Sequence, residues 1–133
     1  MYQVIKMYGD LEPWWFLDGW SDDIVQFYEF SHYYEALKCY KKEWIELYRS
    51  YSTFNSHSNI MTAFWDENDQ RWCEECDDYV QQYHSLALLT DWQEVPKDRY
   101  RPAYNKRNIR AYHRTSSVKK FKRAKQELKN SNK

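Results

Sequence analysis

Glycine is almost missing from this chain: Gly9 and Gly19 are the only two. A loop that cradles phosphates, or a dinucleotide fingerprint, needs several closely spaced glycines so that the backbone can approach the ligand. Neither can be built here, and no nucleotide cofactor is expected. A nucleophile elbow fails for the same reason. Cysteine is also sparse and odd in number, at three, which does not suggest a disulfide framework and agrees with a reducing compartment. No apolar run approaches the length of a membrane span, and "MYQVIKMYGD" lacks a signal-peptide pattern. A cytoplasmic location is therefore expected.

Aromatic residues, by contrast, are plentiful. Seven Trp, thirteen Tyr and six Phe among 133 residues make disorder throughout untenable despite the negative mean hydropathy. The length suits one domain with one core. The formal net charge of zero hides a strong asymmetry. Residues 1–96 hold eighteen Asp and Glu against six Lys and Arg; residues 97–133 hold fourteen basic residues against two acidic ones. Such a split bears on partners rather than on fold.

Along the chain, residues 1–8 read as a strand rich in Tyr, Val and Ile. "WWFL" reads as a second strand leading to Asp18-Gly19, a two-residue hairpin signal, and "DIVQFYEF" as a third. Ser31 is the expected N-cap of a helix over "HYYEALKCYKKEWIELYRSY". There Tyr33, Leu37, Tyr40, Trp44, Leu47 and Tyr51 form one apolar stripe. Residues 51–59 read as a polar loop, "IMTAFW" as a strand, "DENDQ" as a hairpin connection into "RWCEE", "CDDYVQQY" as a helical turn and "HSLALL" as a buried strand. The fold class is thus α+β: a small antiparallel sheet of about five or six strands packed on one main helix. A compact acidic domain over residues 1–95 precedes a basic tail over residues 96–133. The tail is expected to be extended or to order on contact with something acidic, with a short helix after Ser116 or Ser117.

Four constellations can carry chemistry. Cys73 and Cys76 in "RWCEECDDYVQQYH" form the only close cysteine pair. As a redox dithiol they need a lowered thiol pKa, and Glu74, Glu75, Asp77 and Asp78 work against a thiolate. As half a zinc site they need further ligands, with His84 the leading candidate and Cys39, His57 and His32 behind it. No glycine follows Cys76 to make the usual knuckle, so small packing residues in a turn is the favoured reading. The acidic pairs at Asp22/Asp23, Asp66/Glu67/Asp69 and Glu74 to Asp78 can do acid–base work only if burial raises one pKa, and turns are usually solvated. In "PWWFLDGW", Trp14 and Trp15 would point to opposite faces of a strand. Either the sheet is covered on both sides or one indole is free to stack a base, a sugar or a proline.

The tail interleaves Arg99, Arg101, Lys106, Arg107, Arg110, Arg114, Lys119, Lys120, Lys122 and Arg123 with Tyr104 and Tyr112. Cations bind phosphates with release of counterions, and aromatics stack on unpaired bases, so this mixture suits RNA or single-stranded DNA. It equally permits docking of the tail on the acidic body of its own chain or of a second copy, or contact with a protein partner.

"MYGDLEPWWFLDGW", "RWCEECDD" and "QQYHSLALL" resemble the hallmark stretches of domain-of-unknown-function family 1033, small proteins of low-GC Gram-positive bacteria. The resemblance implies a single cytoplasmic bacterial protein and brings no catalytic residue to carry over. It also implies a neighbourhood beside late competence genes for DNA uptake, as for relatives in streptococci. Together these readings favour a non-enzymatic accessory protein that binds nucleic acid through its tail, with Trp14, Trp15, Tyr104 and Tyr112 as stacking residues. A protein-interaction module or homodimer is the alternative, and a zinc-binding protein built on Cys73, Cys76 and His84 the minor one.

Overall fold

A computed structural model describes residues 1–108 of the chain. Its core element is an antiparallel sheet in the order β2-β1-β7-β4-β3-β9, with β8 added beside β7. The strands are β1 (Tyr2–Gly9), β2 (Ile24–Phe30), β3 (Thr53–His57), β4 (Met61–Trp65), β7 (Tyr83–Thr90), β8 (Gln93–Glu94) and β9 (Lys106–Arg107). A separate two-stranded sheet pairs β5 (Gln70–Cys73) with β6 (Asp78–Gln81). Among the described residues the single α-helix is α1 (Tyr33–Ser50). The α+β class expected from the sequence holds.

Period-two alternation assigns each strand's side chains to one of two covered faces. Val4, Phe54, Phe64, Leu86 and Leu88 face α1 and meet Tyr33, Ala36, Tyr40 and Trp44 in one cluster. Ile5, Met7, Met61, Ala87 and Leu89 face the other way and are covered by Trp14, Phe16, Trp20 and Ile24. Removing each Val, Leu, Ile, Met or Phe among them from water is worth about 1.5–3 kcal/mol. Two-sided burial explains why β4 and the middle of β7 read as continuous apolar runs.

The second cover corrects the expected succession of three strands over residues 1–30. No strand forms at "WWFL"; residues 10–23 make an irregular excursion ending in a short 3-10 turn at Trp20–Asp23, and β1 pairs directly with β2. Aromatic residues favour strands only where a neighbouring strand offers pairing, and here both sides of β1 are already taken. Gly19 is needed, but for its left-handed φ of 80° before the 3-10 turn and not for a hairpin.

Three further expectations change. The cap position of α1 is His32, without a side-chain cap bond, rather than Ser31. Residues 53–57, read as polar loop, form β3, because Phe54 and Ser56 point into the α1 core while Asn55 and His57 take the other side. "CDDYVQQY" forms β6 and enters β7 rather than making a helical turn. Residues 96–108 run back over the α1 side. They make 3-10 turns at Lys97–Arg99 and Pro102–Tyr104 and then β9, which pairs Lys106 with Ser56 and Arg107 with Asn55.

Candidate functional site

The helix spacing that places Trp44 on the core stripe places Tyr48 one turn later, at the rim where α1 passes over β3. The two rings stack, with centroids 5.3 Å apart and planes 13° from parallel. Phe54 of β3 meets both edge-on, at 5.3 Å from Trp44 and 5.7 Å from Tyr48. The indole is anchored from beneath: Nε1 donates to Thr62 Oγ1 at 3.1 Å and to Ser56 Oγ at 3.3 Å. Tyr40 Oη lies 2.7 Å from the same Thr62 hydroxyl. These aromatics form a fixed shelf rather than a mobile cluster.

Two cations border it. Lys106 Nζ sits 4.8 Å from the Trp44 ring centroid, and Arg49 leaves the last turn of α1 into solvent. With Ile45 they line an open groove of about 510 Å³. Lys106 is held there by β9, whose end is tied down by Asn108. Asn108 Oδ1 accepts from Phe54 N–H at 2.7 Å, and its Nδ2 donates to the Ser52 carbonyl at 2.9 Å. Tyr48 remains half exposed at 52 %, so one face of the shelf is open to a flat ligand.

The expected nucleic-acid residues divide. Lys106 lines the groove, and Arg107 stands exposed next to it on β9. Arg99 and Arg101 are turned onto Tyr33, with guanidinium carbons 4.7 and 5.3 Å from its centroid, and Arg101 Nε donates to Tyr33 Oη at 3.0 Å. Arg110, Tyr112, Arg114, Lys119, Lys120, Lys122 and Arg123 lie outside the described residues. Among the expected stacking residues, Trp14 is stacked on His57 at 3.8 Å and 12°, and Tyr104 is wedged against Tyr40 and Trp44. Trp15 keeps 38 % of its surface. Tyr48 and Arg49 were not singled out beforehand. Tyr48 follows Trp44 by one helical turn, and no local pattern shows that its ring stays exposed.

The Cys73 and Cys76 sulfurs come to 2.9 Å, with Cys73 buried and Cys76 half-buried over Leu11 and Val80. Burial, and then the neighbouring Cys73, push the Cys76 thiol up to about 11, so Cys76 is not an activated nucleophile. His84 belongs to a different group. It stacks on Tyr51 at 4.2 Å and faces Tyr8 at 4.7 Å, with Asp69 Oδ2 at 4.0 Å from Nε2. Tyr8 donates to Asp69 at 2.9 Å, and burial together with that carboxylate pushes its phenol up to about 12. Among the described residues no set of three or more His, Cys, Asp or Glu side chains is placed to hold a metal ion. None of the described helices is long and apolar enough to cross a membrane.

A protein-family model described as "Protein of unknown function (DUF1033)" matches residues 1–119. The chain belongs to the DUF1033 family. No curated protein and no solved structure matches it. The DUF1033 match covers every element of the groove, from Trp44 to Lys106, and its description carries no activity.

Proposed function

We propose that the protein is a non-enzymatic, cytoplasmic bacterial accessory protein that binds single-stranded nucleic acid along its basic C-terminal segment. The groove of Trp44, Tyr48, Arg49 and Lys106 is its folded foothold. The observation that supports this most directly is the half-exposed Tyr48 ring, prestacked on Trp44 and bordered by Arg49 and Lys106. A base can lie on such a face while the cations meet its flanking phosphates. Lys106 of the groove is followed in the sequence by further basic residues from Arg110 onward.

The test is a titration of the full chain with mixed-sequence single-stranded RNA and DNA at several salt concentrations. The affinity should fall linearly on a log–log plot, by a slope of about 0.7 per phosphate contact. Arg49→Ala and Lys106→Ala should each flatten that slope by about one contact. Tyr48→Ala should weaken binding by about 1–3 kcal/mol with the slope unchanged, because stacking releases no counterion. Absence of binding by the full chain at low salt removes the reading.

Protein contact is the second reading, favoured by the apolar side chains of the edge strand β2. Val25 and Phe27 are 68 % and 49 % exposed, and Phe27 meets the exposed Trp92 edge-on at 5.1 Å.

A further inference from the structure

The β5–β6 hairpin carries a cysteine pair that the proposed binding groove does not use. Cys73 is paired with Asp78 at the end of the ladder, and the turn Glu74-Glu75-Cys76-Asp77 closes it. Asp77 adopts a φ of 52°, the left-handed conformation for which glycine is usually chosen. The missing glycine therefore does not prevent a tight turn, and the turn folds Cys76 back over Cys73 until the sulfurs are 2.9 Å apart. A disulfide needs about 2.05 Å, so the sulfurs have less than about 1 Å to close.

We propose that Cys73 and Cys76 are a reversible oxidation site that closes to an intramolecular disulfide by exchange with a low-molecular-weight disulfide. The half-buried Cys76 loses its proton and attacks one sulfur of the small disulfide, forming a mixed disulfide and releasing the first small thiol. Cys73 then gives up its proton and attacks the Cys76 sulfur, expelling the second small thiol. Two electrons and two protons pass from the protein dithiol to the small disulfide, which becomes two thiols. Exposure sets the order, because Cys73 is only 3 % exposed and the incoming reagent reaches Cys76 first.

The acidic surroundings act differently on rate and on equilibrium. Few Cys76 molecules are thiolate at neutral pH, so attack is slow. Strongly oxidising dithiols owe their character to a stabilised thiolate in the reduced form; here burial, then the adjacent Cys73 and, more weakly, Glu75 withhold that stabilisation from Cys76. Held sulfurs also pay little loop-closure entropy. The closed disulfide is therefore favoured, although it forms slowly. The oxidised hairpin retains its tie to the body, which runs through Arg71 and Asp10 and through Gln82 Nε2 donating to Asp10 Oδ1 at 2.9 Å.

The experiment equilibrates the full chain anaerobically with graded mixtures of reduced and oxidised glutathione, quenches with acid and reads masses of the intact protein and its peptides. The native chain should lose two hydrogens between Cys73 and Cys76 while Cys39 remains a thiol. The midpoint should lie at an oxidised-to-reduced ratio at least about tenfold lower than in urea, where proximity is lost. Cys73→Ser should stop at the glutathione adduct on Cys76. The proposal is overturned if the native midpoint equals that in urea, or if Cys39 is consumed as readily. It is also overturned if metal analysis finds stoichiometric zinc on the pair in chelator-free protein. Nucleic-acid binding does not enter the readout, so this result and the fate of the proposed function are separable.

Discussion

Thr62 shows how one side chain sets the character of the site. Its hydroxyl is fully buried and lies within hydrogen-bonding distance of Tyr40 Oη at 2.7 Å, Trp44 Nε1 at 3.1 Å and Ser56 Oγ at 2.8 Å. Thr62→Val keeps the volume of the side chain but leaves a buried phenol without its partner, and such a group costs about 1–3 kcal/mol. Urea denaturation should show that loss, and a stability within a few tenths of wild type would contradict the network. The Trp44 indole retains Ser56, so the shelf should persist. Affinity for single strands should then fall less than it does in Tyr48→Ala.

None of this network was visible in the sequence. Tyr40 and Trp44 were legible as stripe residues from their spacing. Their polar atoms, however, find partners on β3 and β4 only after the sheet closes. Ser56 was hidden by the same fact: a strand that alternates Phe54, Ser56 against Asn55, His57 has too few apolar residues to announce itself.

At the level of elements, the excursion over residues 10–23 covers the face of the sheet opposite α1. It brings Trp14 flat onto His57. Burial beneath this cover lowers the His57 pKa, and Arg107 on β9 lowers it further. His84 on β7 is also lowered by burial; Lys6 acts in the same direction and Asp69 opposes it. For a histidine held neutral, the unfolded chain takes up protons first. The contribution to stability is complete above the ordinary value of about 6.5 and is lost as pH falls toward the lowered folded values. Melting temperature should therefore drop between about pH 7 and pH 5, and His57→Phe, which preserves the ring stack, should remove part of that slope. A slope unaffected by His57→Phe and by loss of His84 would place the acid sensitivity elsewhere.

The excursion was misread because its aromatic content imitates a strand. β1, β2, α1, β4 and β7 were read correctly, since each has a period or an apolar run that local sequence alone expresses. β6 escaped because Asp77-Asp78 looks like a helix start, whereas Asp77 is spent on a left-handed turn.

For the molecule as a whole, the described part of the basic segment, residues 97–108, is divided between packing and solvent. Residues 97–108 close the open end of the α1 core. Tyr104 meets Tyr40 edge-on at 5.1 Å, Tyr33 Oη donates to the Arg99 carbonyl at 2.8 Å, and Arg101 N–H donates to the Ser58 carbonyl at 2.8 Å. A chain ending at Pro96 should consequently lose several kcal/mol of stability, as when a large core aromatic is removed at about 3–5 kcal/mol. Calorimetry would check this, and a truncated chain melting with the full one would refute the packing role. Binding studies that delete the whole basic segment would then confuse lost phosphate contacts with a damaged fold, and point substitutions on the exposed rim are the sounder probe.

The sequence by itself determined the charge asymmetry, the α+β class, the helical stripe and the exclusion of glycine-dependent nucleotide chemistry. These depend on composition and on short-range period, which the chain carries before it folds. The tertiary structure alone decided which aromatics are free and which cations are spent. Trp14 and Tyr104 are consumed by His57 and the α1 core, Arg99 and Arg101 by Tyr33, and Tyr48 is left open beside Lys106. Exposure of a ring depends on what the sheet register brings over it from residues far away in the chain, and no local pattern encodes that.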